Sequence, residues 1–336
     1  MELFDFTRAL IDIESITNNE RQLERFLQDH LCALATRSGG QVERMEVEPE
    51  RANLFAAWGN PIVTFSTHLD TVPPFVPSRE DGEFLWGRGA CDAKGIIASM
   101  VFAAERLLAE GVRNFGLLFV VGEERNSAGA HAAARTPRGS RFLIAGEPTE
   151  NRLAVACKGA IRFEIEAHGT MAHSAYPELG RSAIDALLDV LQVIRRIPLP
   201  EDPLLGRSTL NVGTLSGGRA PNIVADLARA EIMFRLTGDA EPVRDAVVAA
   251  VEGRAELKEI LHSPAMRLEQ FDGLPTTVVS FTTDVPFLAG AWGKPYLLGP
   301  GSIHVAHTSE ERVPKRQLQE AVQIYSQMAR RLLAGA

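Results

Sequence analysis

Three short apolar runs, Pro61 to Thr67, Gly116 to Val121 and Phe142 to Ala145, constrain this chain more than any other feature of its sequence. The second and third are nearly continuous in apolar residues and the first is broken only by hydroxyl side chains; each is too short for a surface helix and halts at a polar cluster. Strands buried on both faces of a parallel sheet read this way. The stretches between them have helical character, and 94 to 110 is read as the crossover between the first two runs. The predicted class is therefore α/β, a mostly parallel sheet with helices on both faces.

The remaining chain divides around that sheet. Residues 5 to 36 place Phe6, Leu10, Ile13, Leu23, Phe26, Leu27 and Leu31 at helical spacing, one or two helices ending at Ser38-Gly39-Gly40. From Ala160 to Ala167 the pattern changes to strict alternation, Ile161, Phe163 and Ile165 against Arg162, Glu164 and Glu166, which suits a half-exposed strand. A helix (about 180–196), two strands (about 208–215 and 226–236), a helix (about 241–252) and a weaker strand near 263–269 follow. That β-α-β-β-α-β order is the split, ferredoxin-like arrangement and reads as an inserted α+β domain. After about residue 274 come Gly- and Pro-punctuated loops, a short strand at Tyr296 to Leu298, and a closing helix from Pro314 to Leu333. The 336 residues thus resolve into an α/β domain, 1–159 plus 273–336, interrupted by an insert at 160–272.

Composition removes several classes of function. Lys and Arg number 35 against 43 Asp and Glu, a net charge of −8, so neither a nucleic-acid partner nor an anionic membrane surface is expected. Cys32, Cys91 and Cys157 are too few and scattered for a disulfide framework or a thiolate zinc site, and reduced thiols in a cytoplasmic protein fit best. The start, Met1-Glu2-Leu3-Phe4-Asp5, lacks the pattern of a secretory signal. No Gly-Lys-Ser/Thr phosphate loop, Gly-x-Ser-x-Gly elbow or His-Glu-x-x-His pair occurs, which speaks against nucleotide, serine-hydrolase and single-zinc protease chemistry.

The chemistry gathers at the ends of the apolar runs. The first leads into His68-Leu69-Asp70, the loop after it carries Asp92-Ala93-Lys94-Gly95, the second ends in Gly122-Glu123-Glu124, and the third in Gly146-Glu147-Pro148-Thr149. In open α/β sheets the carboxyl edge of the strands is where ligands bind. Carboxylates converging there repel one another unless a cation sits among them. Imidazole and carboxylate donors without thiolates suit zinc, with cobalt or manganese as substitutes.

The ordered set His68-x-Asp70, Gly-x-Gly-x-x-Asp92-x-Lys-Gly95, Gly122-Glu-Glu124, Gly-Glu147-Pro-Thr and Gly299-Pro-Gly-Ser-x-x-x-x-His307 resembles the co-catalytic zinc deacylases and metallopeptidases. That family includes acetylornithine deacetylase, succinyl-diaminopimelate desuccinylase and glutamate carboxypeptidase. The resemblance implies two Zn2+ ions bridged by Asp92, one completed by His68 and Glu147, the other by Glu124 and His307. It further implies that the Asp70 carboxylate accepts the second ring N–H of His68 and that Glu123 is the general base. His304 competes with His307 for its role, and the Gly-Pro-Gly-Ser spacing favours His307.

Within the insert, Gly169-Thr-Met-Ala-His173-Ser-Ala-Tyr-Pro177 resembles the family's lid motif, in which the histidine donates to the substrate carbonyl. By the same resemblance Asn222 and Arg235 bind the substrate carbonyl or α-carboxylate, and the insert mediates a homodimer. Ala93, Ser182, Ala225 and Arg312 depart from residues common in the family, without touching a proposed ligand. The implied activity is metal-dependent removal of an acyl group, most simply acetyl, from an amino acid such as N-acetyl-L-ornithine. Desuccinylation, deacetylation of acetyl-lysine or acetylcitrulline, glutamate release, or a catalytically silent binding protein are the alternatives.

Overall fold

The computed structural model describes residues 1–336 and divides into two compact units. The first comprises Met1–Val155, Leu268–Thr277 and Thr283–Ala336, and the second Ala156–Arg267 with Val278–Thr282.

The sheet of the first unit runs, in spatial order, Gln41–Glu48, Arg51–Trp58, Phe115–Val120, Val63–His68, Phe142–Ala145, Lys294–Leu297 and Leu153–Cys157. The central four are parallel, with Val63 opposite both Phe115 and Phe142, and Leu297 opposite Ala145. All four therefore end at one edge. Alternation along the strands sends side chains to two faces. Phe65, Leu117 and Phe119 pack with Ile97, Val101 and Tyr325 of the helices Lys94–Ala109 and Lys315–Ala334. Leu118, Val120 and Leu143 pack on the other side with Ala130, Ala133 and Trp292. Helices therefore cover both faces, as a parallel sheet requires.

One part of this sheet differs from expectation. The pair Gln41–Glu48 and Arg51–Trp58 is an antiparallel hairpin extending the parallel strands at one side. Its sequence does not display the alternation of a hairpin, because Arg51–Trp58 is buried almost throughout and includes Arg51 and Asn53. Arg51 is tolerated there by its ion pair with Glu20 at 2.5 Å, and Asn53 by donating to the Gly129 carbonyl at 2.8 Å.

In the second unit Thr209–Gly217, Leu227–Leu236, Gly159–His168 and Glu256–Ser263 form a wholly antiparallel sheet in that order. Helices Ala183–Ile194 and Glu241–Val251 bury Leu187, Val190, Val243 and Val247 with Ile161, Phe163, Ile165 and Phe234. The last strand lies at 256–263 rather than near 263–269. Its exposed face carries Glu256, Lys258 and Glu259, so charge conceals it, and the following Met266–Arg267 is only a two-residue strand. All three cysteines are free thiols, and no helix is long and apolar enough to cross a membrane.

Candidate metal centre

The shared strand edge brings the sequence motifs together. His68 is the last residue of Val63–His68, Glu123 and Glu124 follow Phe115–Val120, and Glu147 follows Phe142–Ala145. Asp92 stands just before the helix Lys94–Ala109, whose amino end carries partial positive charge. His307 comes from the loop after Lys294–Leu297 and sits at φ 63°, a left-handed conformation uncommon for a residue with a β-carbon.

His68, Asp92 and Glu124 each offer a ligand atom within 4.8 Å of the others. Asp92 lies at the middle. Its Oδ1 is 3.0 Å from His68 Nε2, while its Oδ2 is 3.3 Å from His307 Nε2. His307 Nε2 also lies 2.9 Å from Glu124 Oε1. Glu147 stands outside this close group and lines an adjoining cavity with His68 and Glu123. His307, not His304, meets the carboxylates.

The tautomer of His68 carries information. Its Nδ1 is 2.8 Å from the Asp70 main-chain carbonyl, which can only accept, so Nδ1 bears a hydrogen and a neutral ring presents the Nε2 lone pair to the Asp92 carboxylate. Two lone pairs 3.0 Å apart need a proton or a cation between them, and two bonds of about 2.0–2.2 Å from a metal span such a gap. The donor set thus fits a metal ion.

Asp70 supports the site differently from the expected way. Its carboxylate is 3.6 Å from His68 Nδ1, and it is the carbonyl that takes the ring hydrogen. The carboxylate oxygens instead accept from Glu123 N at 3.0 Å, Glu124 N at 3.2 Å and Thr17 Oγ1 at 2.8 Å. A fully buried carboxylate thereby pins the turn that carries both glutamates. Gly122, at φ 81°, lets the chain make that turn.

Electrostatics follow from crowding. Burial and neighbouring carboxylates push Glu123, Glu124 and Glu147 above the usual carboxylate range. Burial would lower His68, but its hydrogen bonds to Asp70 and Asp92 and the charges of Asp92 and Glu123 outweigh it and hold the ring well above its ordinary value. Hydrogen bonds to Asp92 and Glu124 lift His307 to about 10. Asp92 is held low: burial opposes its charge, and the two imidazoles more than compensate. Such a cluster has a strong affinity for positive charge.

Two residues near the centre, a buried acid and a threonine, carry no mark in the sequence motifs. Asp284 lines the cavity beside Glu123 and Glu147 and neither of its oxygens has a hydrogen-bond partner; burial lifts it to about 7. The available signal was its place just beyond the apolar pair Val278-Val279. Thr17, the partner of Asp70, lies in a loop with no pattern to mark it.

In the second unit, His173 Nδ1 accepts from Ala175 N at 3.1 Å, which leaves the ring hydrogen on Nε2 of an exposed side chain. Ser174 N donates to the Asn222 carbonyl at 3.0 Å, so those two segments are joined. Arg235 Nη1 donates to Thr282 Oγ1 at 2.7 Å.

The sequence pattern of peptidase family M20/M25/M40 matches residues 64–331. A peptidase M20 domain-containing protein of Schizosaccharomyces pombe is 39% identical, over 97% of this chain and 84% of its own. An Aspergillus oryzae protein named "Probable carboxypeptidase" is 37% identical, over 96% of this chain and 86% of its own. Among solved structures, an M20 family metallo-carboxypeptidase of Sulfolobus solfataricus superposes with a TM-score of 0.79 at 15% identity, covering 98% of both chains.

Proposed function

Because this chain belongs to peptidase family M20/M25/M40 and is a hydrolase of amide bonds, we propose that it cleaves a linear amide whose amine side ends in a free α-carboxylate. N-acyl amino acids, with N-acetyl-L-ornithine as the named candidate, and short peptides losing their C-terminal residue share that chemistry. The relatives named carboxypeptidases favour the peptide form, and both forms fit one mechanism.

One observation carries the reading: the two oxygens of Asp92 face two different imidazoles, with Glu124 beside the second. Asp92 would therefore be shared by two metal ions, zinc first by donor chemistry, with His68 and Glu147 helping to hold one and Glu124 and His307 the other. When bound, such a pair lowers the pKa of a shared water and polarises the scissile carbonyl.

The residues of the chain do the rest. Glu123 is held by its own N–H on Asp70, and its raised pKa suits a base that accepts the water proton and returns it to the leaving amine. His173 is assigned as donor to the carbonyl oxygen through Nε2, a role its tautomer allows. Asn222 and Arg235 are assigned to the substrate carbonyl and α-carboxylate, the guanidinium supplying a two-pronged contact. A homodimer through the insert is also proposed, since Thr209–Gly217 is an edge strand with Leu215 exposed. The free thiols suit a cytoplasmic setting.

The test is a panel of N-acetyl amino acids and dipeptides assayed with Zn2+, Co2+ or Mn2+. Hydrolysis of at least one class is expected, and Glu123→Gln should keep its metal while losing at least about a hundredfold in kcat. No turnover of any member with any of the three metals defeats the proposal.

A further inference from the structure

Glu311 is 2% exposed and belongs to the same loop as His307, yet its side chain reaches the loop that carries Asp92. Its Oε1 accepts from three backbone N–H groups, Gly89 at 2.9 Å, Cys91 at 3.3 Å and Asp92 itself at 3.3 Å. Its Oε2 accepts from Arg88 Nη1 at 2.5 Å, and Arg88, also 2% exposed, is held in turn by Nε on the Pro74 carbonyl at 3.2 Å. The Glu311 carbonyl accepts from Gly87 N at 3.1 Å. Residues 87–92 form no helix or strand, so their N–H groups have few partners inside the segment, and one carboxylate oxygen gathers three of them.

We propose that Glu311 is a positioning residue that clamps the Asp92 loop to the His307 loop and so sets the separation of these two ligands. The role rests on reading Asp92 and His307 as metal ligands. Removing the carboxylate charge weakens four hydrogen bonds together and frees Asp92 relative to His307, so metal binding should suffer more than folding. Partners that orient metal ligands cost about 10- to 100-fold in affinity when changed.

The test uses Glu311→Gln, which keeps the shape, and Arg88→Lys, which keeps the opposing charge but not the fork. Glu310→Gln, an exposed neighbour, is the control. Chelator competition reads the affinity for Zn2+, and the visible absorption of Co2+-loaded protein reads ligand geometry. We expect affinity to fall about 10- to 100-fold in Glu311→Gln, with a smaller fall in Arg88→Lys, an altered Co2+ spectrum, and no change in the control. Affinities within twofold of the parent in both variants, with unchanged spectra, would overturn the positioning role and leave the metal centre standing. A parent that binds no Zn2+ or Co2+ would overturn the metal centre and this role with it.

Discussion

Changing Asp70 to Asn tests whether the Glu123-Glu124 turn is built on a buried carboxylate. Asp70 is fully buried, so its hydrogen bonds need no discount for solvent. The amide that replaces it can keep only one acceptor oxygen. In its better orientation that oxygen still accepts from Glu124 N and Thr17 Oγ1, while the new NH2 turns a donor toward Glu123 N. One buried N–H is then left without a partner, which costs about 1–3 kcal/mol, and a charge-assisted bond becomes a neutral one, which costs about 1 kcal/mol more. The expected destabilisation is about 2–4 kcal/mol. It should appear as a lower urea midpoint at unchanged slope for the metal-free protein. Losing that anchor misplaces Glu123, and a shift near 1 Å costs about a hundredfold in rate, so kcat should fall further than stability alone explains. A midpoint shift worth less than about 1 kcal/mol, together with kcat near the parent's, would show that Asp70 does not organise the turn.

Other outcomes follow from the same structure. Chelation should lower the thermal midpoint and added metal restore it, since metal present at a hundred times its dissociation constant contributes about 2.7 kcal/mol; an unchanged midpoint refutes the metal centre. Gly301→Ala should destabilise by roughly 1–3 kcal/mol or more, because Gly301 has φ 90° and an added Cβ would lie 2.3 Å from Cys91 Cβ; an unfolding midpoint equal to the parent's would contradict this. Arg51→Met should cost about 3–5 kcal/mol in denaturant titration by leaving Glu20 buried without its cation, and a neutral result would mean that this ion pair does not hold the hairpin. Lys94 is lowered to about 8 by burial, so its charge opposes folding below that pH; the penalty, about 3 kcal/mol, fades as pH rises toward the ordinary lysine value. Stability measured from pH 7 to 10 should therefore rise in the parent relative to Lys94→Met, and parallel curves would refute the assignment.

The central strands were legible because parallel strands buried on both faces leave continuous apolar runs, and the carboxylates just beyond them have no reason to adjoin such runs unless they serve a site. His68, Asp92 and Glu124 converge at the edge those runs point to, and His307, which only the resemblance marks, lies beside Glu124. The hairpin at 41–58 was not legible, since Arg51 and Asn53 depend on Glu20 and Gly129, partners that only the tertiary structure supplies. The details of the Asp70 contact are hard to read from sequence for a related reason. Spacing along an extended chain places its side chain on the same side as His68, but the turn after His68 brings the carbonyl to the ring and frees the carboxylate for the glutamate turn. Glu311 acts through contacts with a distant segment and nothing local marks it, while Asp284 has only the apolar pair before it as a signal.

The position of Lys294–Leu297 has a consequence for how the protein is made. It is an interior strand, paired with Phe142–Ala145 on one side and meeting Leu153–Cys157 on the other, and it is synthesised after the whole insert. A nascent chain holding every proposed ligand up to Glu147 therefore has a sheet with an open slot, and it lacks His307 and the Arg312–Pro314 strand that pairs with Phe84–Trp86. Such non-local closure is slow, and the ordering entropy precedes its reward. With the ligands proposed above, metal capture by the full set would be a late event in biosynthesis, and a chain cut short before residue 294 forfeits both the strand that seals the sheet and the imidazole proposed to complete the centre.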